Sequence, residues 1–173
     1  MILTTTHKMV GKVETIDLVH DTLDLLGCDE TVCPVKYSNR MTRSMGTASC
    51  RWVQTERNLQ HKSFLITLSN ILMPLVPREE QIETIVHEAC HIATYVRGER
   101  GHGRLWKQYM RECGYEPRRC HNVTYGHIAK CDCKSWILNN RKANRQKQCP
   151  VFYRCPSCKK NLKLTGKKGA RRS

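Results

Sequence analysis

No apolar run in this sequence approaches the roughly 18 residues that a membrane span needs. The first ten residues, Met1–Val10, are polar and lack the apolar stretch of a secretion signal. Aromatic residues are scarce, with only two Phe in 173 positions. Acids are nearly missing from the last third: residues 115–173 hold 16 Lys/Arg against Glu116 and Asp132 alone. These absences speak against an integral membrane protein and a secreted disulfide scaffold. The expectation is a soluble, cytoplasmic monomer with no membrane partner.

What is present divides unevenly. Residues 1–114 hold 14 Lys/Arg against 13 Asp/Glu, so almost the whole net charge of +15 belongs to the remainder. A block this basic points to a polyanionic partner, with DNA first among them, single- or double-stranded being left open. The alternative is a merely solubilising surface. Eleven cysteines in a chain without a secretion signal argue for metal ligation.

Several elements can be placed. Val13, Ile16, Val19, Leu23 and Leu26 recur at helical spacing, and Gly27 suits a cap, giving a helix over 10–26. Val35 and Tyr37 mark a short strand. Thr47–Gln54 and Phe64–Leu68 read as two strands joined by the polar stretch Thr55–Lys62, in a small antiparallel sheet. Pro77 suits the first helical position, and Glu79 and Glu80 suit the positive end of the helix dipole. From there Ile82, Ile85, Val86, Ala89, Ile92, Ala93 and Val96 form a broad apolar face that ends at Gly98. Leu105, Trp106, Tyr109, Met110 and Cys113 mark a third helix, stopped by Gly114. Cys90 and Cys113 read as small core residues. The class is α+β. The division expected is a core over 1–114, a basic metal-held unit over 115–165 and a disordered basic tail over 166–173.

The second helix carries His87-Glu88-Ala89-Cys90-His91. Residues four apart share one helix face, so both imidazoles can reach one Zn²⁺. Glu88, one position off, is free to act on the zinc-bound water as general base. A catalytic zinc needs a third protein ligand and an open fourth position. His102 is the best candidate, between Gly101 and Gly103 at the start of the next helix; His121 and His127 compete. Amide hydrolysis is the chemistry such a set serves. Tyr95, Tyr109 and Tyr125 are unranked candidates for oxyanion stabilisation.

Cys155-Pro156-Ser157-Cys158 has the two-residue gap that lets two thiolates converge on one metal. Cys131-Asp132-Cys133 is tighter. Together the four suggest a closed structural zinc site, with His127 or Cys149 as substitutes should one pair fail. The 21 residues between Cys133 and Cys155 are long enough for a strand pair. Arg141, Lys142, Arg145, Lys147, Lys159 and Lys160 form the expected phosphate-contacting surface. Trp136 and Tyr153 read as core residues of this part ahead of base-stacking ones.

The order of parts resembles the SprT-like family, which includes the bacterial SprT proteins and the DNA–protein crosslink protease Spartan. The residues that carry the resemblance are Met45-Gly46-Thr47-Ala48, His87–His91, Gly101-His102-Gly103-Arg104-Leu105-Trp106, Arg118-Arg119-Cys120-His121 and the stretch from Cys131 to Leu164. The resemblance implies a minimal zincin-like metalloprotease domain followed by a zinc ribbon. It implies His87, His91 and His102 as ligands, Glu88 as base, and a C-x-C arrangement at Cys131 and Cys133 of bacterial type. It also implies a protein substrate bound or crosslinked to DNA. The alternative function is a DNA-binding zinc-ribbon regulator of transcription or stress response, with a weak or vestigial protease site.

Overall fold

A computed structural model describes residues 2–3, 6–54, 60–118 and 123–172. Its element order is β1 (Ile2–Leu3), α1 (Lys12–Leu25), β2 (Val35–Ser38), β3 (Gly46–Gln54), β4 (Gln60–Ser69), a 3₁₀ turn (Met73–Leu75), α2 (Arg78–Val96), α3 (Arg104–Glu112), β5 (Val123–Lys130), β6 (Ser135–Leu138), α4 (Asn140–Gln148) and β7 (Lys163–Arg172). The class is α+β, with two small sheets and four helices.

The first sheet has the order β2-β4-β3. β3 and β4 form the expected antiparallel pair, with Gly46 opposite Leu68 and Gln54 opposite Gln60. β2 runs parallel to β4, so the sheet is mixed and not purely antiparallel. β2 is separated along the chain from its sheet neighbour β4 by β3 and the segments that flank it, which lets it enter in either sense.

α2 runs through the middle of the core. Pro77 stands at its N-cap, and Glu79 and Glu80 fall in its first turn, where the exposed N–H groups favour negative charge. Twelve of its 19 residues are buried, among them Ile85, Ala89, Cys90, Ile92 and Ala93. Gly98 leaves the helix with φ of 84°, a conformation that favours glycine. Buried Gln81 ties the N-terminal segment to α2: its carbonyl accepts from the Val10 N–H at 2.9 Å and its amide donates to the Val76 carbonyl at 3.1 Å.

α1 packs against α2 but is turned differently from its apolar spacing. Thr15, Val19, Thr22 and Leu23 face inward, while Val13 is 74% and Ile16 46% exposed. Thr22 Oγ1 donates to the Leu18 carbonyl, and Thr15 Oγ1 accepts from the Tyr37 hydroxyl at 3.0 Å. Both threonines therefore enter the interior with their hydrogen bonds made.

The second sheet has the order β1-β7-β5-β6. Two expectations fail here. The span between Cys133 and Cys155 holds one strand, β6, and a helix, α4, in place of a strand pair. α4 is capped by the Asn139 side chain, which accepts from the Lys142 N–H at 2.9 Å. It buries only Ala143 and Gln146. The expected disordered tail is instead the second half of β7, paired with β5 on one side and β1 on the other. Its lysines at 163, 167 and 168 are exposed while Ala170 is fully buried. The backbone ladder holds the segment, and charge outside the ladder does not oppose it. Ala170 also joins the main core with residues of α1 and α2, so β7 is tied to that core.

Candidate functional site

α2 presents His87 and His91 one turn apart. The turn after Gly98 brings His102 back onto them before α3 begins. His102 Nε2 lies 3.1 Å from His87 Nε2 and 3.2 Å from His91 Nε2. Ligands of one tetrahedral zinc at 2.0–2.1 Å would stand about 3.3 Å apart. His102 Nε2 thus already stands at that spacing from both other rings, and the ligand atoms of all three lie within 4.8 Å of one another. His87 and His91 are 4% and 7% exposed. Burial and the neighbouring rings hold His87 down at about 3 and His91 down at about 4, so both stay neutral and keep their lone pairs for a metal.

Trp106, one turn after His102 on α3 and 1% exposed, closes the back of the site. Its ring meets those of His87, His91 and His102 at centroid distances of 4.7, 5.4 and 4.4 Å. Its indole N–H points to the His87 carbonyl at 3.5 Å. The sequence placed Trp106 on the third helix and in the stretch from Gly101 that resembles the family, without a role at the site; its i+4 spacing from His102 was the available signal.

Glu88 is 3% exposed and lies against β3. Burial raises its carboxyl to about 7, against the pull of the Ala48 backbone N–H that donates to it. A carboxylate near that value can take up and return a proton at neutral pH. Among the tyrosines, Tyr95 belongs to the site, its ring stacked on His91 at 6.0 Å and 21°. Burial, then the Glu88 charge, pushes its phenol up. Tyr109 sits in the core beside Arg97, and Tyr125 packs on the core as well.

The second cluster is Cys131, Cys133, Cys155 and Cys158, whose sulfurs all lie within 4.8 Å of one another. The Sγ atoms of Cys131 and Cys133 are 3.3 Å apart, and those of Cys133 and Cys155 3.5 Å. Cys131 and Cys133 occupy the β5–β6 turn. Cys155 and Cys158 occupy a turn closed by the Cys155 N–H to the Lys160 carbonyl at 2.9 Å, with Lys159 at φ of 58°. Burial opposes ionisation of Cys155, yet the backbone N–H groups of Cys158 and Ser157, together with the Cys131 and Cys133 thiols, outweigh it and hold the thiol at about 6. A thiol so prepared fits a cation.

His127 and Cys149 belong to neither cluster; His127 Nε2 meets Asn140 Oδ1 at 3.1 Å. Arg119, Cys120 and His121 lie outside the described residues. Cys90 and Cys113 pair within the core at 3.9 Å between sulfurs. Trp136 and Tyr153 pack on the small core of Ala129, Leu138, Ala143, Cys155 and Leu162, as read from the sequence. Arg141, Lys142, Arg145 and Lys147 stand exposed along α4, with Arg145 over the Phe152 ring. Lys159 is exposed and Lys160 is paired with Asp132, which offsets its charge. No helix among the described residues is long and apolar enough to cross a membrane.

Comparison with known proteins decides the family. The SprT-like family model matches residues 19–127, more than half of the chain. The chain belongs to the SprT-like family. It is similar to Protein SprT of Vibrio atlanticus, with 31% identity over 93 residues that cover 49% of this chain and 56% of that protein. It is also similar to the Germ cell nuclear acidic protein of Drosophila melanogaster, with 27% identity over 112 residues, 60% of this chain and 10% of that one. The chain thus spans about half of the first relative and a tenth of the second. The family match holds His87, Glu88, His91 and His102 and ends before Cys131. The four-cysteine cluster therefore rests on its own geometry.

Proposed function

We propose that this chain is a zinc-dependent metalloprotease, with a zincin-like HExxH site, that hydrolyses peptide bonds in proteins bound or crosslinked to DNA. One observation carries the reading: His102 Nε2 meets the buried His87 and His91 rings at 3.1 and 3.2 Å, and the helix that carries those two also carries the buried Glu88, its carboxyl raised to about 7. His87, His91 and His102 would hold the ion, leaving a fourth position open. Zinc, when bound, supplies a Lewis acid and acidifies water. Glu88 accepts the proton from the attacking water and returns it to the leaving amine. Trp106 keeps solvent from the rear of the three rings and fixes their orientation.

The four cysteines would hold a second, structural zinc in a ribbon. DNA as partner is supported by the charge of the same region, where residues 123–172 contain a single acid, Asp132, and that acid is paired with Lys160. The crosslink protease Spartan belongs to the family that the sequence resembles, which is consistent with a DNA-bound protein substrate.

The test is incubation with a DNA-binding protein as substrate, with and without DNA and a chelator. Cleavage should need DNA and metal together. Glu88→Gln should lower kcat by about 10³-fold, roughly 4 kcal/mol, with two zinc equivalents retained. Cleavage by Glu88→Gln at the parent rate would refute the mechanism. Salt-sensitive DNA binding without turnover on any protein would favour the regulator reading instead.

A further inference from the structure

The seat of Glu88 is formed by a side chain that is not there. Gly46, the first residue of β3, is buried, and its φ lies outside the left-handed region, so its backbone would accept any residue. The constraint is space alone. A Cβ built on Gly46 would stand 2.7 Å from Glu88 Cγ, 2.9 Å from Oε1 and 3.1 Å from Cδ. Its three nearest neighbours are thus all atoms of one side chain, the one assigned as base. Two residues on, the Ala48 N–H donates to the same carboxylate. One short stretch of β3 therefore supplies both the gap that admits Glu88 and the donor that orients it.

We propose that Gly46 is a positioning residue for Glu88, its missing side chain holding the carboxylate against Ala48, on the helix that carries His87 and His91. The inference deepens the protease reading and rests on it for its kinetic consequence. A methyl group at position 46 meets the Glu88 side chain first, from Cγ outward, and not backbone. Glu88 swings away, the fold survives, and the base is misplaced while His87, His91 and His102 remain in position. A shift near 1 Å at a reacting group is enough to cost on the order of 100-fold in rate.

The experiment is a double-substitution cycle on the zinc-loaded chain: parent, Gly46→Ala, Glu88→Ala and the combination, followed by kinetics and by the Ala48 amide resonance. Gly46→Ala should retain two zinc equivalents and lower kcat about 100-fold with KM within about 3-fold. In the Glu88→Ala background the same change should cost nothing further, because the group it displaces is gone. The Ala48 amide should move in Gly46→Ala in the direction that Glu88→Ala moves it, and barely shift when Gly46→Ala is added to Glu88→Ala. Equal losses in both backgrounds, or parent-like kcat in Gly46→Ala, would overturn the proposal. If the parent cleaves nothing, the protease reading fails and the amide cycle still decides the role of Gly46. If Gly46→Ala does not fold, recovery of folding in the combined variant supports the proposal, and its failure to recover overturns it.

Discussion

The two clusters stand on opposite footings. His87, Glu88 and His91 are part of α2, which buries its own Ile85, Ala89 and Ile92 in the main core. Their positions follow from packing that would exist without a metal. The cysteines stand on two turns, and the core beneath them consists of Ala129, Leu138, Ala143, Cys155 and Leu162, one of which is itself a ligand candidate. So little apolar material cannot offset the entropy of ordering this part. In the first region packing alone prepares a site; in the second the proposed zinc would add to what a small core holds. The same contrast holds for charge, with the histidine region near neutrality and the cysteine region strongly basic.

Metal removal should separate the two regions most. Zinc at such structural sites contributes on the order of 10 kcal/mol to local folding. With a chelator, amide exchange in β6 and α4 should approach that of an unfolded chain, while the α2 amides stay protected. Equal protection of both after chelation would break the comparison.

A smaller effect concerns pH in the metal-free protein. Burial lifts the Glu88 carboxyl from 4.5 to about 7, so between these values the folded chain holds a proton that the unfolded chain has released. This contribution to stability is present below about pH 4.5 and is lost as pH rises through 7. Glu88→Gln has no such dependence. Its stability advantage over the parent should grow by up to about 3 kcal/mol from pH 4.5 to 7.5, measured by urea unfolding. A constant gap would place the carboxyl in water.

The smallest effect concerns α4. Replacing Arg141, Lys142, Arg145 and Lys147 by Gln should leave the fold unchanged, because all four are exposed. The slope of log K against log salt for duplex DNA should become shallower by about 3, through fewer released counterions. An unchanged slope would locate DNA elsewhere on the surface.

The histidine region was the more legible in the sequence. Pro77, Glu79, Glu80 and Gly98 delimit α2, and the spacing of His87 and His91 follows from its geometry. What periodicity missed is instructive. It identified α1 as a helix yet assigned Val13 and Ile16 to the buried face, because Thr15 and Thr22 reach the interior only through hydrogen bonds that hydropathy does not register. α4 and β7 were hidden by their lysines and arginines. A cap at Asn139 and two buried side chains contribute to the order of α4, and a paired backbone to that of β7. The seat of Glu88 on Gly46 and Ala48 lies some forty positions from the motif it serves, and no local pattern links them.

The most direct test of the central claim is zinc content and cleavage measured on the same preparation of His102→Ala. Zinc should fall from two equivalents to one, held by the cysteines, together with loss of all cleavage of a DNA-bound protein. Two retained zincs, or cleavage at the parent rate, would contradict it.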